Sequence, residues 1–207
     1  MPLDILLTFL GASMLLTLAP GPDNLFVLTQ GALYGPRAGI CVTLGLCSGL
    51  IVHTTIAVLG LSSIFLLSSA AFLGLKFAGA AYLLYLAIGA WRAGASDTAL
   101  RQSKALTPLQ LYRRGIVMNL TNPKVGIFFI AFLPQFTKPE YGALPLQLLT
   151  LGAIFMAQVI VIFSAIAVLA ASVAHRFQQS NSAQRLLNRA SAVIFVLLAL
   201  RLAFSQR

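Results

Sequence analysis

The chain has 207 residues, of which 59% are hydrophobic and 9% charged, and its formal net charge is +10. A soluble domain is usually about one-quarter charged, whereas several apolar runs here reach the roughly 20 residues that a helix needs to span a bilayer. The composition therefore excludes an ordinary soluble protein and predicts an all-α integral membrane protein with one compact bundle. No separate basic domain is present to offer a surface to nucleic acid, so no nucleic-acid partner is predicted.

The pattern of apolar segments predicts six transmembrane helices within a single transmembrane domain, residues 1–207. Their ranges are about 10–31, 39–62, 70–91, 114–134, 146–171 and 189–205. The first basic residue is Arg37. Because a cleavable signal peptide begins with basic residues, the first span is expected to remain in the mature protein. A polar linker at about 92–113 separates repeat one, about 1–91, from repeat two, about 114–207.

Lysine and arginine residues are distributed unevenly between the predicted loops. The loops after spans one, three and five carry nine of them, whereas the opposite side has Lys138 and a tail pair, Arg201 and Arg207. The nine are Arg37, Arg92, Arg101, Lys104, Arg113, Arg114, Arg176, Arg185 and Arg189. Because cytoplasmic loops of membrane proteins are enriched in these residues, both termini are predicted to face outward. Attraction to anionic lipid at the inner leaflet explains the positive net charge.

The first predicted span is interrupted by the helix-breaking residues Pro20, Gly21 and Pro22. Neither proline has a backbone N–H, so two carbonyls of the preceding turn lose their helical partners. An unpaired backbone group in hydrocarbon costs several kcal/mol, so such a break is stable only where it is buried in protein or lines a wet cavity. Asp23 follows at once and is the only acidic side chain expected at membrane depth. A broken helix that carries a carboxylate indicates a transport site.

The fourth predicted span contains a second interruption, at Asn122, Pro123 and Lys124. Gly or Asn followed by Pro is typical of the beginning of a helix, so both broken spans are predicted to restart near mid-membrane. With three spans each, the two halves would enter the bilayer from opposite sides. In secondary transporters an inverted repeat of this kind places the substrate site at the midplane, between the broken helices.

Four further polar residues lie inside the predicted spans. Gln30, in span one, can hydrogen-bond to a substrate in either direction. His53, in span two, is interpreted either as a structural hydrogen-bonding residue or as a proton relay. Lys76, in span three, either takes part in transport or extends to lipid headgroups. Tyr82 lies about two turns further inward on the same span.

Small residues recur in spans one and two. Gly31, Gly35 and Gly39 are spaced by four residues, a spacing that lets membrane helices approach closely. Cys41 and Cys47 are six residues apart and do not share a helix face. We interpret them as small core residues and predict neither a disulfide nor a metal site.

Several of these segments resemble the LysE/RhtB family of amino-acid exporters. Residues 20–27 (Pro-Gly-Pro-Asp-Asn-Leu-Phe-Val) are similar to the signature of that family's first span, and residues 76–86 to its third. Residues 119–124 (Asn-Leu-Thr-Asn-Pro-Lys) and 133–136 (Leu-Pro-Gln-Phe) resemble its fourth. The length, the six apolar segments and the basic central loop match over the whole chain.

The resemblance implies efflux of an amino acid or close derivative, such as homoserine, threonine, leucine or lysine, across a bacterial inner membrane. Both termini would then be periplasmic. We expect alternating access driven by the proton-motive force, with protons as coupling ions and the lipid bilayer as surroundings. A homodimer is compatible with these expectations, and no cofactor is expected.

A zwitterionic amino acid needs one partner for its carboxylate and one for its ammonium group. Helix N-termini and Lys124 suit the carboxylate, whereas Asp23 suits the ammonium group or carries the coupling proton. Asn24, Asn122 and Gln30 can supply hydrogen bonds. Since Asp23 and Lys124 hold equivalent places in the two repeats, we expect them to meet across the site. The alternative is that they only neutralise each other and lock the repeats together.

Other classes of function are distinguished by the residues they require. An intramembrane enzyme would need an acid pair, a metal cluster or a nucleophile with a base. Since Asp4, Asp97 and Glu140 are all expected at membrane surfaces, no catalytic residue is predicted. One buried acid and two separated cysteines make a poor path for a metal cation. A non-transporting subunit of a larger complex and an exporter of another small solute or cation stay open as alternatives.

Overall fold

All regular structure in the described part of the chain is helical. The computed structural model describes residues 1–67, 69–92, 105–179 and 181–204, excepting the side chains of 61–67, 69–72, 75, 171–179, 181–184 and 187. The helices are α1 (Leu3–Leu18), α2 (Pro22–Tyr34), α3 (Pro36–Leu67), α4 (Ser69–Arg92), α5 (Pro108–Thr121), α6 (Pro123–Ile127), α7 (Leu144–Gln179) and α8 (Asn181–Phe204). Helix α6 continues into a π-helical turn (Phe128–Phe132) and a 3₁₀ turn (Leu133–Phe136), and another 3₁₀ turn (Pro139–Tyr141) precedes α7. The predicted all-α class is confirmed.

Part of the sequence-based prediction falls outside the described ranges. Most of the predicted linker does so, together with the acidic residue Asp97 and three of the basic residues used for orientation. Those three are Arg101, Lys104 and Arg207.

Four helices begin with a proline at their first position: Pro22, Pro36, Pro108 and Pro123. Proline suits this position because the N–H that it lacks would have no partner inside the helix. Helix α5 adds a capping box. The backbone N–H of Gln110 donates to Oγ1 of Thr107 (3.3 Å), and the N–H of Thr107 donates to Oε1 of Gln110 (2.9 Å). Local chemistry thus fixes where these helices start.

Two pairs of helices are bent at the predicted breaks. The axes of α1 and α2 differ by 64°, and α5 differs by 53° from the helical segment that runs from α6 to Phe136. Helices α3 and α7 each contain a segment long and apolar enough to cross a membrane, and each bent pair passes the same test as one span. The described helices therefore supply two to four candidate spans. Large apolar side chains such as Leu59 and Val161, each 69% exposed, cover the outside.

Helix α3 packs along α2, α5 and α7, whereas α4 pairs mainly with α8. Gly31 on α2 and Gly39 on α3 both lie against Ala167 of α7, and Gly45 lies against the backbone of α5. A Cβ atom at any of these three glycines would collide with its neighbour, so the close helix packing predicted from Gly31 and Gly39 is confirmed. Gly35 has a different role, because it ends α2 with a φ of +85°, a backbone conformation that favours glycine.

Both cysteines are free, Cys47 buried and Cys41 half-buried on α3. Cys47 belongs to the hydrophobic core, and Cys41 packs against it. This agrees with their interpretation as small core residues.

A cluster of phenylalanines fills the space beside the second break. Its members are Phe9, Phe128, Phe129, Phe132, Phe136 and Phe155. Phe128 stacks on Phe132 at a centroid distance of 4.9 Å and meets Phe155 at 5.2 Å, while Phe9 meets Phe136 edge-on at 5.1 Å. The cluster connects α1, α7 and the π-helical turn, and it fixes the position of the second break relative to the first.

Candidate functional site

The two helix breaks meet inside the bundle, where Lys124 joins them. Its Nζ donates to the backbone carbonyls of Leu16 (3.3 Å) and Ala19 (3.0 Å). The Leu16 carbonyl would pair with the N–H of residue 20 in an unbroken helix, but Pro20 has none. A side chain from the second broken pair therefore caps the end of α1, whose last carbonyls have no intrahelical partners.

Two further side chains complete this end of α1. Nδ2 of Asn24 donates to the carbonyl of Thr17 (2.6 Å), and Nε2 of Gln158 on α7 donates to Oγ1 of Thr17 (2.8 Å). Thr17 and Gln158 were not among the residues that the sequence assigned to the site. The available signal was that both are polar residues within apolar segments.

Gly21 is the residue that lets Lys124 approach. Its backbone is extended (φ −168°), so its conformation does not require glycine. A Cβ atom there, however, would lie 3.1 Å from Nζ of Lys124. On the other side of the site Oδ1 of Asn122 accepts from the backbone N–H of Lys124 (3.0 Å), and Pro123 follows as the first residue of α6. Both helix restarts therefore lie where the prolines predicted them.

The carboxylate of Asp23 lies in the second position of α2 and is 4% exposed. The side-chain amides of Asn119 and Asn122 lie next to it, and it interacts electrostatically with Lys124 and His53. No hydrogen bond joins the two charged groups, since Nζ of Lys124 donates to carbonyls and Oδ1 of Asp23 has no partner in the described structure. The ammonium group of Lys124 therefore hydrogen-bonds to the carbonyls at the first break and not to the carboxylate of Asp23.

All but one of the buried polar atoms without a hydrogen-bond partner in the described residues lie at or beside this site, the exception being Oε1 of Gln30. Within the described residues they are Oδ1 of Asp23, Asn24 and Asn119, Oε1 of Gln30 and Gln158, and Nδ2 of Asn122. The hydrogen bonds that Asn24 and Asn122 make fix the orientation of both amides. All but one of these atoms are acceptors. Because buried polar groups are normally paired, the excess of acceptors favours a ligand rich in donors.

A small cavity lies between the breaks. Its polar lining comes from Thr17, Asp23, Asn24, Asn119 and Lys124, and its apolar lining from Leu16, Leu50, Val125, Phe155, Val159 and Phe163. Its volume of about 20 Å³ is enough for a water molecule and too small for any amino acid. A solute could enter only if the surrounding helices separate, so the structure represents a closed conformation.

The other residues that the sequence assigned to the site lie at different distances from the cavity. His53 does not line it but contacts the lining residue Asn119, with Nε2 3.2 Å from that residue's backbone carbonyl oxygen, and its ring lies 5.8 Å from that of Phe129. Gln30 lies two turns along α2 from Asp23 and lines a separate open groove. The structure thus brings His53, but not Gln30, into contact with a residue of the cavity lining.

Lys76 and Tyr82 both lie on α4, outside the cavity lining. Nζ of Lys76 lies 5.5 Å from the ring centroid of Phe77, and the ring of Tyr82 lies 5.9 Å from that of Tyr85. Asn119, in contrast, lines the cavity although the sequence did not assign it to the site. It belongs to the 119–124 segment that resembles the LysE/RhtB family, and that was the signal for it.

Broken helices that meet at a buried site with one carboxylate and one ammonium group are typical of a membrane transporter. The family model for LysE type translocators matches residues 7–206. The chain therefore belongs to the LysE family, whose members are transporters and not enzymes.

Individual relatives agree with this assignment. The homoserine/homoserine lactone efflux protein of Salmonella typhimurium is 34% identical over 195 residues, which cover 94% of each chain. The leucine efflux protein of Klebsiella pneumoniae is 30% identical over 136 residues, 63% of this chain and 62% of that one. An uncharacterized membrane protein of Vibrio cholerae is 36% identical over 152 residues, 73% and 74% of the two chains. No solved structure gives a significant match.

Proposed function

We propose that this protein exports a small neutral amino acid, or a close derivative such as homoserine, from the cytoplasm across a bacterial inner membrane. Transport is driven by protons and proceeds by alternating access. In this proposal the helices form six spans as two inverted repeats, with both termini in the periplasm. The observation that carries it is the buried cavity in which the two helix breaks, Asp23, Lys124 and several unpaired acceptors come together. Two of the relatives are named as homoserine and leucine efflux proteins.

The groups around the cavity match the two ends of a zwitterion. Asp23, with the unpaired oxygens of Asn24 and Asn119, offers acceptors to an ammonium group, which has three N–H donors. Lys124 offers its positive charge to the carboxylate. The rest of the lining is apolar and includes Phe155. Because the cavity contains a single carboxylate, a second positive group on the substrate would be buried without a partner, which disfavours lysine and arginine as substrates.

Exchange of the partners of Lys124 connects binding to the conformational change. In the closed structure Nζ holds the carbonyls of Leu16 and Ala19 and thereby ties the two broken pairs together. A substrate carboxylate competes for the same N–H donors. The end of α1 is then released from α6, and the helices can separate. A ligand shifts a conformational equilibrium only by interacting differently with the two states, and this exchange supplies such a difference.

Asp23 provides the coupling to protons. An ionised Asp23 attracts the substrate's ammonium group, whereas a protonated one does not. If the carboxyl group binds either the ammonium or a proton, but not both, arrival of a periplasmic proton releases the substrate. When the site opens again to the cytoplasm, protonated Asp23 releases its proton there. The result is amino acid–proton antiport in which Asp23 alone carries the proton.

Everted membrane vesicles test the proposal, because their cytoplasmic face points outward and export appears as uptake. We expect an acid-inside proton gradient to drive uptake of radiolabelled homoserine, and lysine to be transported poorly. Asp23→Asn should abolish the gradient-driven uptake at normal protein levels. The matched control is Asp4→Asn, which removes the same charge at an exposed position on α1 and should leave uptake unchanged. Full proton-driven uptake by Asp23→Asn would refute the coupling role.

A further inference from the structure

A second recess lies between α2 and α5. It is an open groove of about 540 Å³ lined by Pro22, Leu25, Phe26, Thr29, Gln30, Leu106, Arg114 and Met118. Pro22 and Met118 line this groove, while the residues that follow them, Asp23 and Asn119, line the central cavity. The groove and the cavity are therefore separated only by the first turn of α2 and the last turn of α5.

Arg114 is held in position at the wall of the groove. The central carbon of its guanidinium group lies 4.9 Å from the ring centroid of Phe26. The side chain is exposed, and the described residues provide no carboxylate partner for it. A cation–π contact of this kind leaves N–H donors of the guanidinium available for a carboxylate. The contact thus holds Arg114 at the groove, where it can bind an anionic ligand.

Gln30 supplies the complementary group. It lies four residues after Phe26, one turn along the same face of α2. Gln30 is 5% exposed, and its Oε1 has no hydrogen-bond partner among the residues that the structure describes. An acceptor oxygen that lines the same groove as the arginine, one helical turn from the ring that the arginine contacts, suits a ligand whose ammonium and carboxylate groups are bonded to the same carbon. Leu25 and Met118 add an apolar wall for its side chain.

We propose that this groove is a capture site at which an amino-acid zwitterion binds before it reaches the central cavity. Arg114 binds the carboxylate, and Oε1 of Gln30 accepts from the ammonium group. The substrate then passes between α2 and α5 when these helices separate. The site lies on the cytoplasmic side, since Arg114 belongs to the group of basic residues predicted there. This inference rests on the proposed function and adds a second binding step to it.

The experiment compares two ligands and two neighbouring arginines in everted vesicles. Homoserine has a free carboxylate, whereas homoserine lactone has none and serves as a competitor of homoserine uptake. Arg114→Gln should raise the half-saturating concentration of homoserine about tenfold, as expected for the loss of one charge-assisted hydrogen bond. The maximal rate of homoserine uptake, and the inhibition constant of the lactone, should not change. Arg113→Gln removes the same charge at an exposed neighbour that does not line the groove and should leave both ligands unaffected. Arg114→Lys should rescue homoserine binding in part, since it restores the charge without the planar fork.

Three results would overturn the inference: no change in Arg114→Gln, an equal change in the half-saturating concentration of homoserine and the inhibition constant of the lactone, or the same change in Arg113→Gln. Binding of radiolabelled homoserine to purified protein separates this failure from failure of the proposed function. If the wild type transports and Arg114→Gln is unaffected, only the capture site is refuted. If the wild type binds homoserine in an Arg114-dependent manner but does not transport it, only the proposed function is refuted. If the wild type neither binds nor transports it, both are refuted.

Discussion

Replacing Lys124 by methionine tests whether the lysine caps the first helix break. Methionine fills a similar volume but has no N–H donor. The substitution leaves two buried carbonyls, of Leu16 and Ala19, without the partner that they have in the structure. It also leaves the buried Asp23 without the positive charge with which it interacts.

The expected cost follows from these contacts. A buried acceptor left without its hydrogen bond costs about 1–3 kcal/mol, so the two carbonyls cost about 2–6 kcal/mol. The unpaired buried charge of Asp23 adds to this cost, and the ammonium group that no longer has to be desolvated offsets it. We expect a net loss of about 2–4 kcal/mol in the free energy of unfolding. At about 2–4 °C per kcal/mol for a chain of this size, Tm should fall by roughly 4–16 °C.

The assay is thermal unfolding of the purified protein in one detergent. Lys138→Met is the matched control, because Lys138 is exposed and its removal should leave Tm unchanged. Combining Asp23→Asn with Lys124→Met should raise Tm above that of Lys124→Met alone, since a lone buried charge is worse than none. If Lys124→Met melts at the wild-type temperature, the capping contacts do not stabilise the closed structure and the argument for partner exchange fails.

Further predictions concern packing, the first break and topology. Gly45→Ala should strongly reduce Tm because its Cβ would collide with the backbone of α5, whereas Gly60→Ala, where no atom of the described residues lies within 4 Å, should raise stability by up to about 1 kcal/mol through helix propensity. Equal effects on Tm would contradict the packing argument. Pro22→Ala should leave folding intact or improve it and should impair efflux; normal efflux at normal expression would show that this proline is not needed for transport. With impermeant thiol reagents on intact cells, a cysteine that replaces Ser205 should be labelled and one that replaces Ser103 should not. Labelling at position 103 from outside would contradict the predicted topology.

The position of the helix breaks could be predicted because it depends on local chemistry. Pro22 and Pro123 each begin a helix, as the missing N–H of proline requires. The close helix packing at Gly31 and Gly39 could also be predicted, because the spacing of the glycines indicated it. The partner of Lys124 could not be predicted in this way. Which acceptor its ammonium group reaches depends on how α6 lies against α1, and the sequence pattern contains no information about that arrangement.

The extent of the site was harder to predict than its centre. Gln158 donates to Thr17 from α7. Because α7 is mostly apolar, its sequence does not indicate which of its faces lies toward the site. Lys76 and Tyr82 both lie on α4, outside the cavity lining. Their role in transport stays a prediction. A family resemblance indicates segments that matter, but it does not specify which side of the helix faces the site.

The capping of α1 by Lys124 has a consequence for how the protein is made. The lysine follows the two carbonyls by 108 and 105 residues, and Gln158 follows Thr17 by 141. The N-terminal part of a chain is synthesised first. Helices α1 and α2 therefore reach the membrane well before Lys124 and Gln158, whose side chains hydrogen-bond to the end of α1. Until then the break has to keep water, because hydrocarbon offers its carbonyls no donor. When the first half of the chain is produced without the second half, we therefore expect it to insert poorly into the membrane and to be degraded. Coexpression of the second half as a separate polypeptide should protect it.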